Sequence, residues 1–436
     1  MKQKLIFIEL NEINFDYVRD YNAAGELPAL GALLREHQLV ETTSEKNYDE
    51  LEPWIQWVTA HTGLTLSQHG IYRLGDITKS DPEQIWEHLE KQGKSVGAIS
   101  PMNAKNRCNS PAFFMPDPWT PGEVIGSPLL KRLHRSISQM VNDNAQGRIK
   151  TVDAFWLLAG LARYARLPNY PKYVGYVLGA LRGRGWMKAL VLDLLITDIF
   201  HRMIRNPGPD FASVFLNAGA HIQHHYMFNS SVYRGELKNP EWYVDNTQDP
   251  VLDCYRLYDN FIASIRHTFP HSRLMIATGL HQDPHAETTF YWRLKDHNAF
   301  LSRHGVQFRV IEPRMSRDFV VNCVDAAQAS AAEARILSIT SDDGNPLFEV
   351  DNRGNDLFVT LLWADDIGQD FVYRVGNRPH RGLREDVAFV AIKNGEHNGV
   401  GYFLDTGLSA APRERMPLVN VPERVCEALG VGWQAA

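Results

Sequence analysis

Cysteine is scarce in this chain of 436 residues: Cys108, Cys254, Cys323 and Cys426 stand far apart and form no Cys-x-x-Cys pair. That excludes a disulfide framework and a zinc knuckle, and it reads as reduced thiols in a cytoplasmic protein. Long hydrophobic runs are missing too. The most apolar stretch, Ala189 to Ile204, carries Asp193, Asp198, His201 and Arg202, and is too short and too charged to span a bilayer. The first apolar run, Leu5 to Leu10, is interrupted by Glu9 and followed by no small-residue cleavage site, so it reads as a buried strand. Neither charge sign dominates. A formal net charge of -6 gives no global reason to expect nucleic-acid binding. Internal repeats and low-complexity tracts are absent.

What is present is an ordinary globular composition, 44% hydrophobic and 22% charged. The length calls for one large α/β domain with insertions, or for two domains. Strands are expected at 4–10, 38–43, 96–100, 211–217 and 274–278. Helices fall at 27–36, 53–62, 82–92 and 250–267. This alternation predicts a mostly parallel central sheet flanked by helices. Residues 101–130 read as a long loop. Strands at 306–311, 334–340 and 357–362 suggest a smaller, more antiparallel subdomain, 387–392 a return to a buried strand, and 419–429 a closing helix. The expected division is 1–130 and 207–300 for the core, 131–206 for a helical insertion, 301–385 for the smaller α+β subdomain and 386–436 for the return.

Five polar clusters carry the chemistry, and most sit at predicted strand ends, where open α/β sheets bind ligands. Glu9-Leu10-Asn11-Glu12 ends the first strand and offers oxygens to a hard cation, or else forms an Asx turn. Glu52-Pro53-Trp54 opens a helix with Gln56 and Thr59 on one face, and Gln68-His69-Gly70-Ile71 follows. In Asn217-Ala-Gly-Ala-His221-Ile-Gln-His224-His225 the residues at spacing four share a helix face, a common ligand geometry. His281 with Asp283, and His397 in Glu396-His397-Asn398-Gly399, complete the set.

The order and spacing of these clusters resemble the alkaline-phosphatase superfamily, especially its type I phosphodiesterase and nucleotide-pyrophosphatase branch, over roughly residues 4–76, 210–285 and 385–430. Thr62-Gly63-Leu64 through His69-Gly70-Ile71 is the most specific match. The resemblance implies an alkaline-phosphatase-like fold and two divalent metals flanking a Ser or Thr nucleophile. It places the family's first-strand Asp on Asn11, its Asp-x-x-x-His on Asn217 and His221, its Asp-His pair on Gly279 and Leu280, and its late His on His397. The nucleophile position falls near Glu52 and Pro53. A divergent site follows, with one divalent ion (zinc or manganese) or none.

The expected roles are then Asn217, His221 and His397 as metal ligands. Glu52 would be general base or ligand, Asn11 would orient substrate, and His225 and His281 would act in catalysis. Glu12, Gln56, Trp54 and His69 would line the substrate. The reading is an enzyme of phosphodiester hydrolysis or group transfer on a phosphorylated, sulfated or nucleotide-linked substrate. The alternatives are a catalytically retired binding or scaffold relative, and a transferase using a nucleotide-linked donor without the two-metal site. Residues 131–188 are basic and aromatic, with Arg132, Arg135, Arg148, Lys150, Arg163 and Arg166 against only Asp143 and Asp153. Such a cap suits an anionic substrate, a peripheral membrane contact or an oligomer contact.

Overall fold

All six residues of Leu5–Leu10 are buried, as a strand covered on both faces requires. The computed structural model describes residues 4–45, 50–142, 151–205, 208–313, 317–408 and 415–434. Eight strands form one sheet in the order Met416–Pro417, Leu39–Thr43, Val400–Asp405, Arg273–Ala277, Leu5–Leu10, Phe211–Leu216, Val96–Ile99, Phe113–Met115. Every pairing is parallel except the two made by Val400–Asp405, which runs against both neighbours.

Side-chain alternation sorts the central strand between two layers. Ile6, Ile8 and Leu10 join a core with the helices Phe15–Ala23, Met187–Met203 and Pro250–Thr268. Leu5 and Phe7 point the other way, into a core with Trp57, Trp86 and Leu89 from the helices Pro53–Thr62 and Ile85–Lys91. Glu9 keeps the parity of Leu5 and Phe7. It is fully buried there, 3.1 Å from His61 Nε2, and His61 packs on the rings of Trp57 and Trp86.

The chain divides into two compact units, one of residues 1–141, 149–284 and 395–436, the other built on 285–394. The second contains the antiparallel sheet Phe348–Asn352, Asp356–Leu361, Asp318–Asn322, Val310–Pro313 and a three-stranded sheet of Ile339–Ser341, Val372–Val375, Arg378–Arg381.

Three expectations are corrected. Residues 334–337 end a helix, Ala326–Leu337, and only Ile339–Ser341 is strand, because a run of alanines with Asp325 as N-cap outweighs the β-branched tail. Val387 opens a long strand, Val387–Asn398, that pairs with His281–Leu294 outside the eight-stranded sheet. Phe113–Met115 is an edge strand within the stretch expected to be loop. The helices Pro128–Asn142, Thr151–Tyr164, Tyr170–Leu181 and Met187–Met203 occupy the region of the expected insertion; Asp143, Arg148 and Lys150 lie outside the described residues.

Candidate metal centre

Parallel strands deliver their carboxyl ends to one rim, and the first to arrive is Leu5–Leu10, followed by Asn11 and Glu12. Glu12 takes a left-handed backbone, φ 61°, which a glutamate adopts at a cost of about 1–2 kcal/mol. Surrounding bonds hold it there. Its N–H donates to Thr278 O (3.2 Å), and its carbonyl accepts from Gln223 Nε2 (2.7 Å) and Gln282 N (3.2 Å). The turn aims a buried carboxylate into the rim.

Two histidines meet it. His224 stands on the helix Ala218–Tyr226, which begins at the end of the strand Phe211–Leu216. His397 lies just before Val400–Asp405. Because that strand runs antiparallel, its start coincides with the carboxyl ends of its neighbours, and His397 therefore reaches the same rim. Glu12 Oε2 is 3.2 Å from His224 Nε2 and 3.1 Å from His397 Nε2, and the two nitrogens are 3.2 Å apart.

This triangle fits a divalent cation. Ligands at zinc-like bond lengths of roughly 2.0–2.1 Å in tetrahedral array lie about 3.3 Å from one another. A bonding count agrees. Oε2 already accepts a short hydrogen bond from Gln282 Nε2, so two imidazole N–H groups would overload it. His224 Nδ1 lies 3.3 Å from the carbonyl of Gly395, which favours the proton on Nδ1 and leaves Nε2 as a lone pair. Burial pushes the Glu12 carboxyl up, but positive charge at the triangle, that of His397 and His224 in their protonated forms, outweighs it and holds the carboxyl well below the carboxylate range.

The shell behind the ligands is polar and fixed. Asn11 Nδ2 donates to Glu12 Oε1 (3.1 Å) and to Asn217 Oδ1 (2.8 Å), while Asn11 Oδ1 accepts from Trp57 Nε1 (2.7 Å). The indole packs against Gly279, where φ is +72° and an added Cβ would meet the ring at 3.2 Å. Tryptophan thus occupies space beside the positions that the sequence resemblance gave to the Asp-His pair. Leu280 is fully buried.

The histidine helix is anchored from the far layer. Asp193 Oδ2 accepts from Ala218 N (2.8 Å) and Tyr258 Oη (2.7 Å), and so caps a helix whose own N-cap, Asn217, is turned to Asn11. Gly219 lets this helix approach the loop after the first strand: a Cβ there would come within 2.3 Å of Ile13. Burial lifts the Asp193 carboxyl to about 6, against hydrogen bonds from Tyr258 and the backbone that lower it. A raised folded-state value favours the fold below pH 4, and that contribution is lost as pH rises through 6. Wild-type stability in urea should therefore fall by roughly 3 kcal/mol relative to Asp193→Asn between about pH 4 and 7. A parallel pH profile for the two proteins would contradict this.

The other predicted residues are distributed around this centre. Asn217 touches it through Asn11. His221 is exposed one turn before His225, ring centroids 4.9 Å apart, and His225 neighbours His224 at 6.3 Å. His281 lies 3.1 Å from Asp283 Oδ1 and close to the Val400 carbonyl, and Asn398 and Asn14 also bond Asp283. Glu52 is the N-cap residue of Pro53–Thr62, although its side chain does not cap the helix. Gln56 donates to Glu50 O (2.8 Å) and Trp54 Nε1 to Tyr72 O (3.2 Å). His69 accepts from Ile71 N (3.0 Å) and faces Thr59 Oγ1 (3.3 Å), its value lowered to about 4 by burial. In this chain the His-Gly-Ile pattern pins a turn. His224 and Gln282 were not assigned roles from the sequence. Their signals were the i+3 spacing from His221, and adjacency to His281.

No family model and no curated protein matches the chain. Among solved structures it is similar to a phosphonoacetate hydrolase from Sinorhizobium meliloti 1021 in complex with phosphonoacetate, at 12% identity and a TM-score of 0.44 over 100% of this chain and 96% of that one. It is also similar to murine ectonucleotide pyrophosphatase/phosphodiesterase 5, at 9% identity and a TM-score of 0.42 over 100% and 96%. The alkaline phosphatase of Thermus thermophilus gives 11% identity and a TM-score of 0.44 over 99% and 92%.

Proposed function

We propose that this protein is an enzyme acting on a small phosphate- or sulfate-bearing substrate, by hydrolysis or group transfer, with one divalent ion held by Glu12, His224 and His397. The observation that carries the metal is the triangle of donors at 3.1–3.2 Å. The substrate class rests on the sequence resemblance, from Thr62-Gly63-Leu64 through His69-Gly70-Ile71 and the order of the polar clusters. A bound zinc or manganese would supply a Lewis acid for an ester oxygen. Asn11 and Gln282 position the Glu12 carboxylate. His221 stands on the same helix face as His225 with an exposed surface. Burial of its imidazole among its neighbours, then the His224 charge, nevertheless lower it to about 4, so near neutral pH it is an unprotonated ring able to accept a proton. Neither Glu52 nor Pro53 offers a hydroxyl, so the reading assigns no covalent intermediate.

The test is turnover of a nitrophenyl phosphodiester, phosphomonoester and sulfate ester, together with nucleotide release from sugar nucleotides. Both are run after loading with zinc or manganese. Turnover of at least one substrate that needs the metal and disappears in His224→Ala is expected. Metal-loaded protein inert toward all of them would overturn the enzymatic reading and favour a binding role.

A further inference from the structure

Soluble surfaces scatter their large apolar side chains singly, but here nine of the fourteen exposed among the described residues fall between Val152 and Leu181. On the helix Thr151–Tyr164, Val152, Phe155 and Leu158 recur at spacing three and form one outward stripe. On Tyr170–Leu181, positions 170, 174, 177, 178 and 181 do the same, while Tyr173 and Gly179 face inward. Leu167, between the two helices, is 82% exposed.

The exposed charges on the segment that carries these stripes have one sign, and Asp198, which bonds Arg166, Asn169 and Tyr173 beneath it, is buried. From Val152 to Lys188 the sole acid is Asp153, which is buried and bonded by Ser136 Oγ at 2.9 Å. Arg163, Arg182, Arg184 and Lys188 are exposed. Beside Leu167 opens a cavity of about 380 Å³ lined by Arg163, Arg166, His201, Arg202 and Arg205. Burial, then the Arg166 and Arg205 charges, lower His201 to about 4, so that wall stays neutral at physiological pH while four guanidinium groups surround the space.

We infer that this face docks on a bilayer bearing anionic phospholipids, the apolar stripes entering the headgroup boundary and the arginine cavity taking a lipid phosphate. Apolar area edged by cations is the signature of an interfacial contact. No helix of the described residues is long and apolar enough to cross a membrane, so the contact is peripheral. A second copy of the chain fits less well, because a two-fold contact through this face would set cations against cations.

The experiment is co-sedimentation of the full chain with phosphatidylglycerol/phosphatidylcholine vesicles, against phosphatidylcholine alone, beside sedimentation velocity without lipid. Binding to the anionic vesicles is expected, weakened on the order of tenfold in Arg202→Ser/Arg205→Ser and at least about tenfold in Leu167→Glu/Leu178→Glu. These positions are exposed, and unchanged thermal melts would confirm that the variants fold. Three outcomes overturn the inference. One is no vesicle binding by wild type, and another is binding that neither variant changes. The third is a wild-type dimer that only the leucine variant dissociates, which would make the face a contact between copies.

Discussion

Replacing Glu12 by glutamine is expected to weaken zinc or manganese binding by about a hundredfold or more while leaving the fold intact. The amide matches the carboxylate in size and can keep the bond to Asn11, but it brings no charge to balance the cation. His224→Ala and His397→Ala should match it, since each removes one vertex of the triangle. His221→Ala should leave affinity within about threefold, because that ring is exposed and outside the triangle. Isothermal titration of the four variants decides between this ligand set and one built on Asn217, His221 and His397. Equal losses in Glu12→Gln and His221→Ala would contradict the assignment.

The largest stability effect is expected one layer below. Glu9 and His61 sit 3.1 Å apart, both almost wholly out of water, among Trp57 and Trp86. Removing either partner alone leaves the other without its counterpart in an apolar layer, so Glu9→Met and His61→Leu should each cost about 3–5 kcal/mol. Replacing both by apolar groups of similar volume, Glu9→Met with His61→Leu, should cost far less than the sum of the single changes. The attraction between the two groups is offset by the cost of taking them from water. Urea unfolding of the four proteins gives the coupling. Additive losses would show that the pair contributes as two independent packing elements.

Much of the fold was legible because its elements follow local rules. The first strand is a run of β-rich residues, and Pro53–Thr62 opens on Pro and stops at Gly63 in a left-handed conformation, as its sequence predicts. The strand Val400–Asp405 was not anticipated, the late buried strand having been expected at 387–392, and its antiparallel direction was not legible either, because nothing local distinguishes a reversed strand. Yet that direction brings His397 to the rim. The candidate site was half legible for a related reason. Clusters at strand ends were recognisable as convergent, so Asn11, Glu12, Asn217 and His397 came together. Which histidine of the helix meets Glu12 depends on the rotation of that helix. That rotation is set by Asp193 and Tyr258, both remote in sequence from the clusters, and by the close approach of Gly219 to Ile13.

The most direct test of the metal centre is elemental analysis of the purified chain, paired with titration of chelator-stripped protein with zinc and with manganese. One ion per chain, held more weakly as the pH is lowered because the Nε2 atoms of His224 and His397 must be unprotonated to bind, is the predicted result. Protein that carries no metal and takes up none would contradict it, and would make Glu12, His224 and His397 a hydrogen-bonded cluster alone.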